Sequence, residues 1–243
     1  MNAGCTAPHE CGTRLGWAAQ KWVYSGGVSE MNAGASRLTP KGRATRERIL
    51  STASDLILRN GIHGTLIEDV RKAAGVSGSQ MTHYFHDKQT LVKAVIAFQA
   101  QNTLDNHRQP ELENLDNFAA WRLWAKMILA NQAQRGFQGG CEFGSLAGQL
   151  VESDPETRAD LADGYQRWLE LFRKGLLSMR DRGDLRRDAD PEALALRTLS
   201  SMQGGMLLSQ TLREEAPLRE ALRAAVAHIE SFATDPDQLP TAY

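Results

Sequence analysis

The chain has 243 residues, with 28 Lys and Arg against 29 Asp and Glu, so its net charge of −1 by itself neither calls for nor excludes a polyanionic partner. That length suffices for a small module beside a body with a sizeable core; no eighteen-residue apolar run and no basic-then-apolar leader is present, which predicts neither a membrane span nor a signal peptide. Cys5, Cys11 and Cys141 show no repeated spacing, which argues against a disulfide framework and for a reducing, cytoplasmic setting.

Residues 1–36 are rich in Gly, Ala and Ser, carry Trp17, Trp22 and Tyr24, and show no sustained helical period, which predicts a disordered extension. Met-Asn-Ala-Gly occurs at Met1 and again at Met31, and the expectation is that translation begins at Met31. Cys5, His9 and Cys11 supply two thiolates and one imidazole, short of a tetrahedral set, so no metal site is read there.

Behind Thr45 and Arg46, the residues Ile49, Leu50, Ala53, Leu56 and Ile57 recur at helical spacing until Asn60-Gly61. The stretch from Thr65 to Leu91 then reads as two short helices around an Ala-Gly-Val-Ser turn. Thr65 and Glu68 have the spacing of a capping box, and Val70, Ala73 and Ala74 supply an apolar face. Gly75 stands where the chain must leave the helix through a left-handed conformation, and Ser77 can cap the next helix, from about Gly78 to Phe85. The exposed face of that helix carries Ser79, Gln80, Thr82 and His83, groups able to donate to and accept from base edges and phosphates.

With Ile49, Leu50, Ala53, Gly61, Thr65, Ala74, Gly75, Val76, Ser77, His83, Tyr84, Phe85, Lys88 and Leu91 in this order and spacing, the segment resembles the tetracycline-repressor (TetR/AcrR-type) family of bacterial transcription regulators. The resemblance implies an all-α chain: a three-helix helix-turn-helix module that reads DNA, then a larger helical ligand-binding and dimerisation body. It also implies DNA contacts from Arg43, Arg46, Thr65, Arg71, Ser77, Gly78, Ser79, Gln80, Thr82, His83, Tyr84 and Lys88. Three positions depart from the family pattern. Ser79 replaces the usual Gly, Thr82 replaces a Tyr whose ring touches the DNA backbone, and Arg71 replaces an Ala, close enough to the duplex to add a phosphate contact. Charge supports the reading independently. From Arg37 to Lys93 there are 10 Lys and Arg against 5 Asp and Glu, whereas from Ala94 onward there are 16 against 22. An electropositive module ahead of an acidic body is the footprint of phosphate binding.

Lys88, Leu91, Val92, Val95 and Phe98 open a further helix expected to reach Arg108, before Pro110. Another is expected over Leu115 to Ala133, and one over Cys141 to Val151 after Gly136, Gly139 and Gly140. Asp154-Pro155 starts a long helix that ends at Gly183, and Asp190-Pro191 and Ala216-Pro217 start two more. The family resemblance implies that these last two pair with their twins, placing Leu199, Met202, Met206, Leu222, Val226 and Ile229 at a dimer interface. Gly204-Gly205 inside the first of them predicts a close helix approach.

Trp121, Trp124, Met127, Phe137, Cys141, Phe143, Trp168 and Phe172 are expected as a set to line an effector cavity, although each residue taken alone reads more readily as core than as lining. Cys141 admits two readings: a thiolate favoured by a helix start, as in family members with a cysteine near this place, or a buried small hydrophobe. No nucleophile elbow, phosphate-binding Gly loop or paired metal-ligand motif is present, so no enzyme and no cofactor are read. The expected division is 1–36 extension, 37–87 DNA-binding domain, 88–234 ligand-binding and dimerisation domain, and 235–243 tail. The expected partners are double-stranded operator DNA, a small hydrophobic or electrophilic effector and a second copy, with no membrane and with a nucleoid-associated location. The competing reading is a helical dimeric interaction protein that has lost operator binding.

Overall fold

The computed structural model describes residues 38–107, 112 and 114–239. The expected extension over 1–36, the Met31 start and the Cys5, His9 and Cys11 group lie outside the described residues. The chain divides into a first unit, residues 1–38, of which only Leu38 is described, and a second, residues 39–243, which concerns us below.

Local chemistry accounts for most of the helix ends. Helix α1 (Pro40–Asn60) starts with Pro in its first turn and with the Thr39 hydroxyl accepting from the Gly42 N–H at 3.2 Å. Short helices α2 (Ile67–Ala73) and α3 (Gly78–Tyr84) follow, joined by a turn in which Gly75 takes φ +62°. Helix α4 (Lys88–Asp105) is capped by Asp87 and ends one turn short of the expected Arg108. Helix α5 (Phe118–Gln134) is capped by Asn117, and α6 (Glu142–Leu150) by Cys141, whose Sγ accepts from the Gly144 N–H. Asp154 and Asp190, each followed by Pro, cap α7 (Pro155–Arg182) and α8 (Pro191–Leu212), and Gly183 closes α7 in the left-handed conformation. Helix α9 (Ala216–Glu230) completes the bundle, with a single 3-10 turn at Pro236–Gln238 after it. Among the described residues there is no strand, only an isolated bridge between Leu185 and Ala233.

Two apolar clusters hold these helices. The first joins Ile49, Leu50 and Ile57 of α1 to Val70, Met81 and Phe85, to Leu91 and Val95 of α4, and to Phe143, Leu146 and Leu150 of α6. The second packs Trp121 and Trp124 of α5 on Phe172, Leu176 and Met179 of α7 and on the inner faces of α8 and α9. Full burial of each such side chain contributes about 1.5–3 kcal/mol. Gly205 lets α8 and α9 close on one another, since a Cβ there would stand 2.7 Å from that of Ala221.

This second core corrects one expectation. Leu199, Met202, Met206, Leu222, Val226 and Ile229 are all buried within it, so they are not the side chains that a second copy would touch. Helical periodicity marks an apolar face without saying which of two partners covers it.

Candidate nucleic-acid interface and cavity

Helix α3 separates its faces cleanly. Met81 is buried and Tyr84 partly so, while Gly78, Ser79, Gln80, Thr82 and His83 are exposed. Its start is fixed by a full capping box: the Ser77 hydroxyl accepts from the Gln80 N–H at 3.1 Å, and Gln80 Oε1 accepts from the Ser77 N–H at 2.9 Å. Ser79 Oγ lies 3.0 Å from Ser77 Oγ, and the Thr82 hydroxyl donates to the Gly78 carbonyl at 3.1 Å. Gln80 is thus held by its carbonyl oxygen, which leaves its amide N–H groups directed away from the cap. Arg43 is exposed on the first turn of α1, and Lys88 begins α4 at the end of the module.

Thr65, Arg71 and Arg46, also expected at the DNA, are engaged deeper inside the module. Thr65 is buried and its hydroxyl donates to the Gly61 carbonyl at 2.9 Å; α2 starts after Leu66 without a side-chain cap, so the Thr65–Glu68 capping box does not form. The carboxylate of Glu68 instead takes both Nε and Nη2 of Arg71, at 2.7 and 2.6 Å, while Nη1 donates to the Val76 carbonyl at 3.1 Å. Arg71 therefore ties α2 to the turn before α3, and its pKa is raised chiefly by that carboxylate. Arg46 lays its guanidinium over the Phe85 ring, 5.5 Å from the centroid, and burial lowers its pKa. Ala73, expected on the apolar face, is exposed.

A cavity of about 420 Å³ opens beside α4, within the range of small-molecule sites. Its wall is made by Gln99, Asn102, Thr103 and Asn106 of α4 with His107, by Trp124, Met127 and Gln132 of α5, by Gly140 to Phe143, by Trp168 of α7 and by Met206 of α8. Of the expected lining, Trp124, Met127, Cys141, Phe143 and Trp168 are in place. Trp121 and Phe172 are instead wholly buried in the core, and Phe137 sits in a turn at φ +55°, its carbonyl accepting from Arg213. Cys141 Sγ also accepts from Gln203 Nε2 at 3.4 Å, and burial pushes the thiol pKa up, with Glu142 adding to the rise against the hydrogen bonds from Gln203 and the Gly144 N–H. Tyr165, beside Phe143 and Trp168, is pushed up to about 12 by burial.

A family model described as bacterial regulatory proteins, tetR family, matches residues 49–95, and one described as tetracyclin repressor-like, C-terminal domain, matches residues 119–225. The chain belongs to the TetR family. This makes it a transcriptional regulator with a DNA-binding domain rather than an enzyme. The HTH-type transcriptional repressor DhaR of Mycobacterium sp. (strain GP1) is 23% identical over 184 residues, spanning 73% of this chain and 88% of that protein. The regulator UidR of Escherichia coli K12 is 24% identical over 198 residues, spanning 78% and 94%. A TetR transcriptional regulator from Chloroflexus aurantiacus shares the fold, with a TM-score of 0.67 at 23% identity over 80% of this chain and 98% of that one. No helix among the described residues is long and apolar enough to cross a membrane.

Sequence reading of this TetR-family chain missed the polar part of the cavity. Gln99, His107 and Gln132 are buried among apolar neighbours. Their signal was available: an amide or imidazole at i+4 or i+3 from core residues, as Gln99 is from Val95 and Ile96, has to be hydrogen-bonded or to serve a ligand. Gln99 Nε2 donates to Ser54 Oγ of α1, and Gln149 of α6 accepts from the Ile62 N–H at 3.0 Å, so the body is tied to the DNA-reading module through side-chain amides.

Proposed function

We propose that this TetR-family chain is a repressor that binds a palindromic operator in double-stranded DNA as a homodimer, and that a small hydrophobic effector entering the cavity releases it. Residues 37–87 serve as the DNA-binding domain and 88–234 as the ligand-binding and dimerisation body. The observation that carries the reading is the double use of α4: Leu91 and Val95 belong to the core of the module, while Gln99, Asn102 and Thr103 on the same helix line the cavity. A ligand that fits better with α4 in another setting thereby biases the spacing of two α3 helices. A coupling of about 1–3 kcal/mol lowers operator occupancy substantially.

A second copy is supported by the outer side of α8. Leu196, Leu207, Leu208 and Leu212 are exposed there, and Gly204, with no atom opposite it within 4 Å, offers a second helix a place to approach closely. Two short recognition helices related by a twofold axis read half-sites one or more helical turns apart. Among the relatives, DhaR carries the name of a repressor.

The test is binding of the purified chain to fragments of its own upstream DNA, scanned by salt. Gln80→Ala and His83→Ala should each weaken selective binding by about 1–3 kcal/mol and shift base preference, whereas Lys88→Ala should weaken binding to all sequences and reduce the salt slope by about 1. Arg71→Ala should lower the stability of the module and leave the salt slope alone, because its guanidinium is engaged by Glu68 and Val76. Weak binding that ignores sequence, with genomic selection also failing, would favour a helical dimer that has lost operator binding.

A further inference from the structure

We infer that the effector is an uncharged, two-sided molecule, apolar along one edge and carrying at least two hydroxyl or carbonyl groups along the other, and that a stripe of side chains on α4 and its C-cap, Gln99, Asn102, Thr103 and Asn106, reads the polar edge. This rests on the cavity being the effector site.

One face of α4 changes character along its length. Leu91 and Val95 are buried in the core of the module, and the same face continues, at spacings of three and four residues, as Gln99, Asn102, Thr103 and Asn106, all of which line the cavity. An inward helix face is ordinarily apolar, so carboxamides in that place call for water or for a ligand with groups to match. Gln99 and Thr103 already donate within the protein, Gln99 Nε2 to Ser54 Oγ and the Thr103 hydroxyl to the Gln99 carbonyl at 2.9 Å, and both keep oxygen lone pairs. The side chains of Asn102 and Asn106 make no hydrogen bond to any described residue, so each offers a donor and an acceptor. The remaining wall is mainly apolar, with Trp124 and Met127 of α5, Phe143 of α6 and Trp168 of α7; the Gln132 amide on that side is held by the Gly140 carbonyl at 3.2 Å. A hydrocarbon filling the space would strip water from the α4 amides and return no bond, the case in which a site discriminates most strongly.

The charged groups on the wall are already matched. Asp105 accepts from Gln101 Nε2 at 2.8 Å, and Gln101 Oε1 accepts from Arg167 Nη2 at 2.8 Å, so hydrogen bonds join that carboxylate to a cation of α7. Arg135 stands 3.5 Å from Glu142. An anion entering the cavity would meet two carboxylates and one guanidinium already engaged, and a cation would have to draw Asp105 or Glu142 from its partner.

Isothermal titration of the full chain with three probes on one skeleton tests this: 2,3-dihydroxytetralin, tetralin and tetralin-2-carboxylate. The diol should bind about tenfold or more tightly than tetralin, the worth of two hydrogen bonds, and the carboxylate least of all. Asn102→Leu combined with Asn106→Leu should abolish the preference for the diol, whereas Asn131→Leu, an exposed carboxamide of the α5 wall, should leave it intact. Independently of any variant, the diol and not tetralin should shift the side-chain amide signals of Asn102 and Asn106 in the NMR spectrum, and this decides the matter if the double variant does not fold. Tetralin binding as well as the diol, tighter binding of the carboxylate, a preference that survives the double replacement, or unmoved Asn102 and Asn106 amides overturns the inference while leaving the cavity as the effector site. No binding by any of the three overturns both.

Discussion

Both ring nitrogens of His107 are engaged, Nδ1 as donor to Thr103 and Nε2 as acceptor from Trp124, so the neutral tautomer is set by the fold. A second proton would have to displace the Trp124 bond, and burial lowers the pKa. The unfolded chain therefore binds a proton in a range where the folded one does not. The His107 contribution to stability is fully present above the ordinary histidine value of about 6.5 and is lost as pH falls below it. Thermal unfolding at about pH 7.5 and 5.5 should show a decline that His107→Gln, which cannot take up the proton, makes shallower; parallel declines in the two proteins would refute the assignment. The carboxylates held low by their partners, Glu170 by Arg173 and Asp154 by the Thr157 backbone N–H, lose their contribution at lower pH, outside this window.

At the scale of the element, α8 presents two unlike faces to two unlike surroundings. Its inner face meets α9 across Gly205, where even a methyl group would collide with Ala221 and crowd the Leu218 backbone. Gly205→Val should destabilise the chain by about 1–3 kcal/mol through overpacking, seen as a lower midpoint in urea, and an unchanged midpoint would mean that the two helices part easily. Helices of this kind were legible in the sequence because their signals are local: Asp154-Pro155, Asp190-Pro191 and Gly183 fix ends through bonds within one turn. Partner choice was not legible, for the same reason. Arg71 looks like a phosphate ligand until Glu68 and the Val76 carbonyl are seen around it, and Thr65 looks like a cap until its hydroxyl turns back to Gly61. Met202 and Val226 have the spacing of an interface, yet the surface they meet is their own chain's. On the cavity wall, the aromatic residues announced themselves by size, whereas Gln99 and Gln132 took their meaning from neighbours distant in sequence.

For the whole molecule, the proposed dimer makes the outer side of α8 the place to separate copies without unfolding them. Leu207→Glu combined with Leu208→Glu puts charge on side chains that are exposed in the single chain. Sedimentation velocity should then report a folded monomer with weakened operator binding, since each copy holds one half-site; a variant that still sediments as the wild type does would move the interface elsewhere. Met202→Glu, by contrast, buries an unpaired charge and should unfold the body. Trp121, Trp124 and Trp168 all set their edges or faces against the one ring of Phe172, with centroids 5.2, 5.3 and 6.2 Å away. Indoles that close exchange excitation before they emit, so their glow is a shared one: light absorbed by any of the three drains toward whichever is most easily quenched. Two of them line the cavity, so an effector entering it as proposed, if it quenched either, would dim the cluster as a whole and report its own binding.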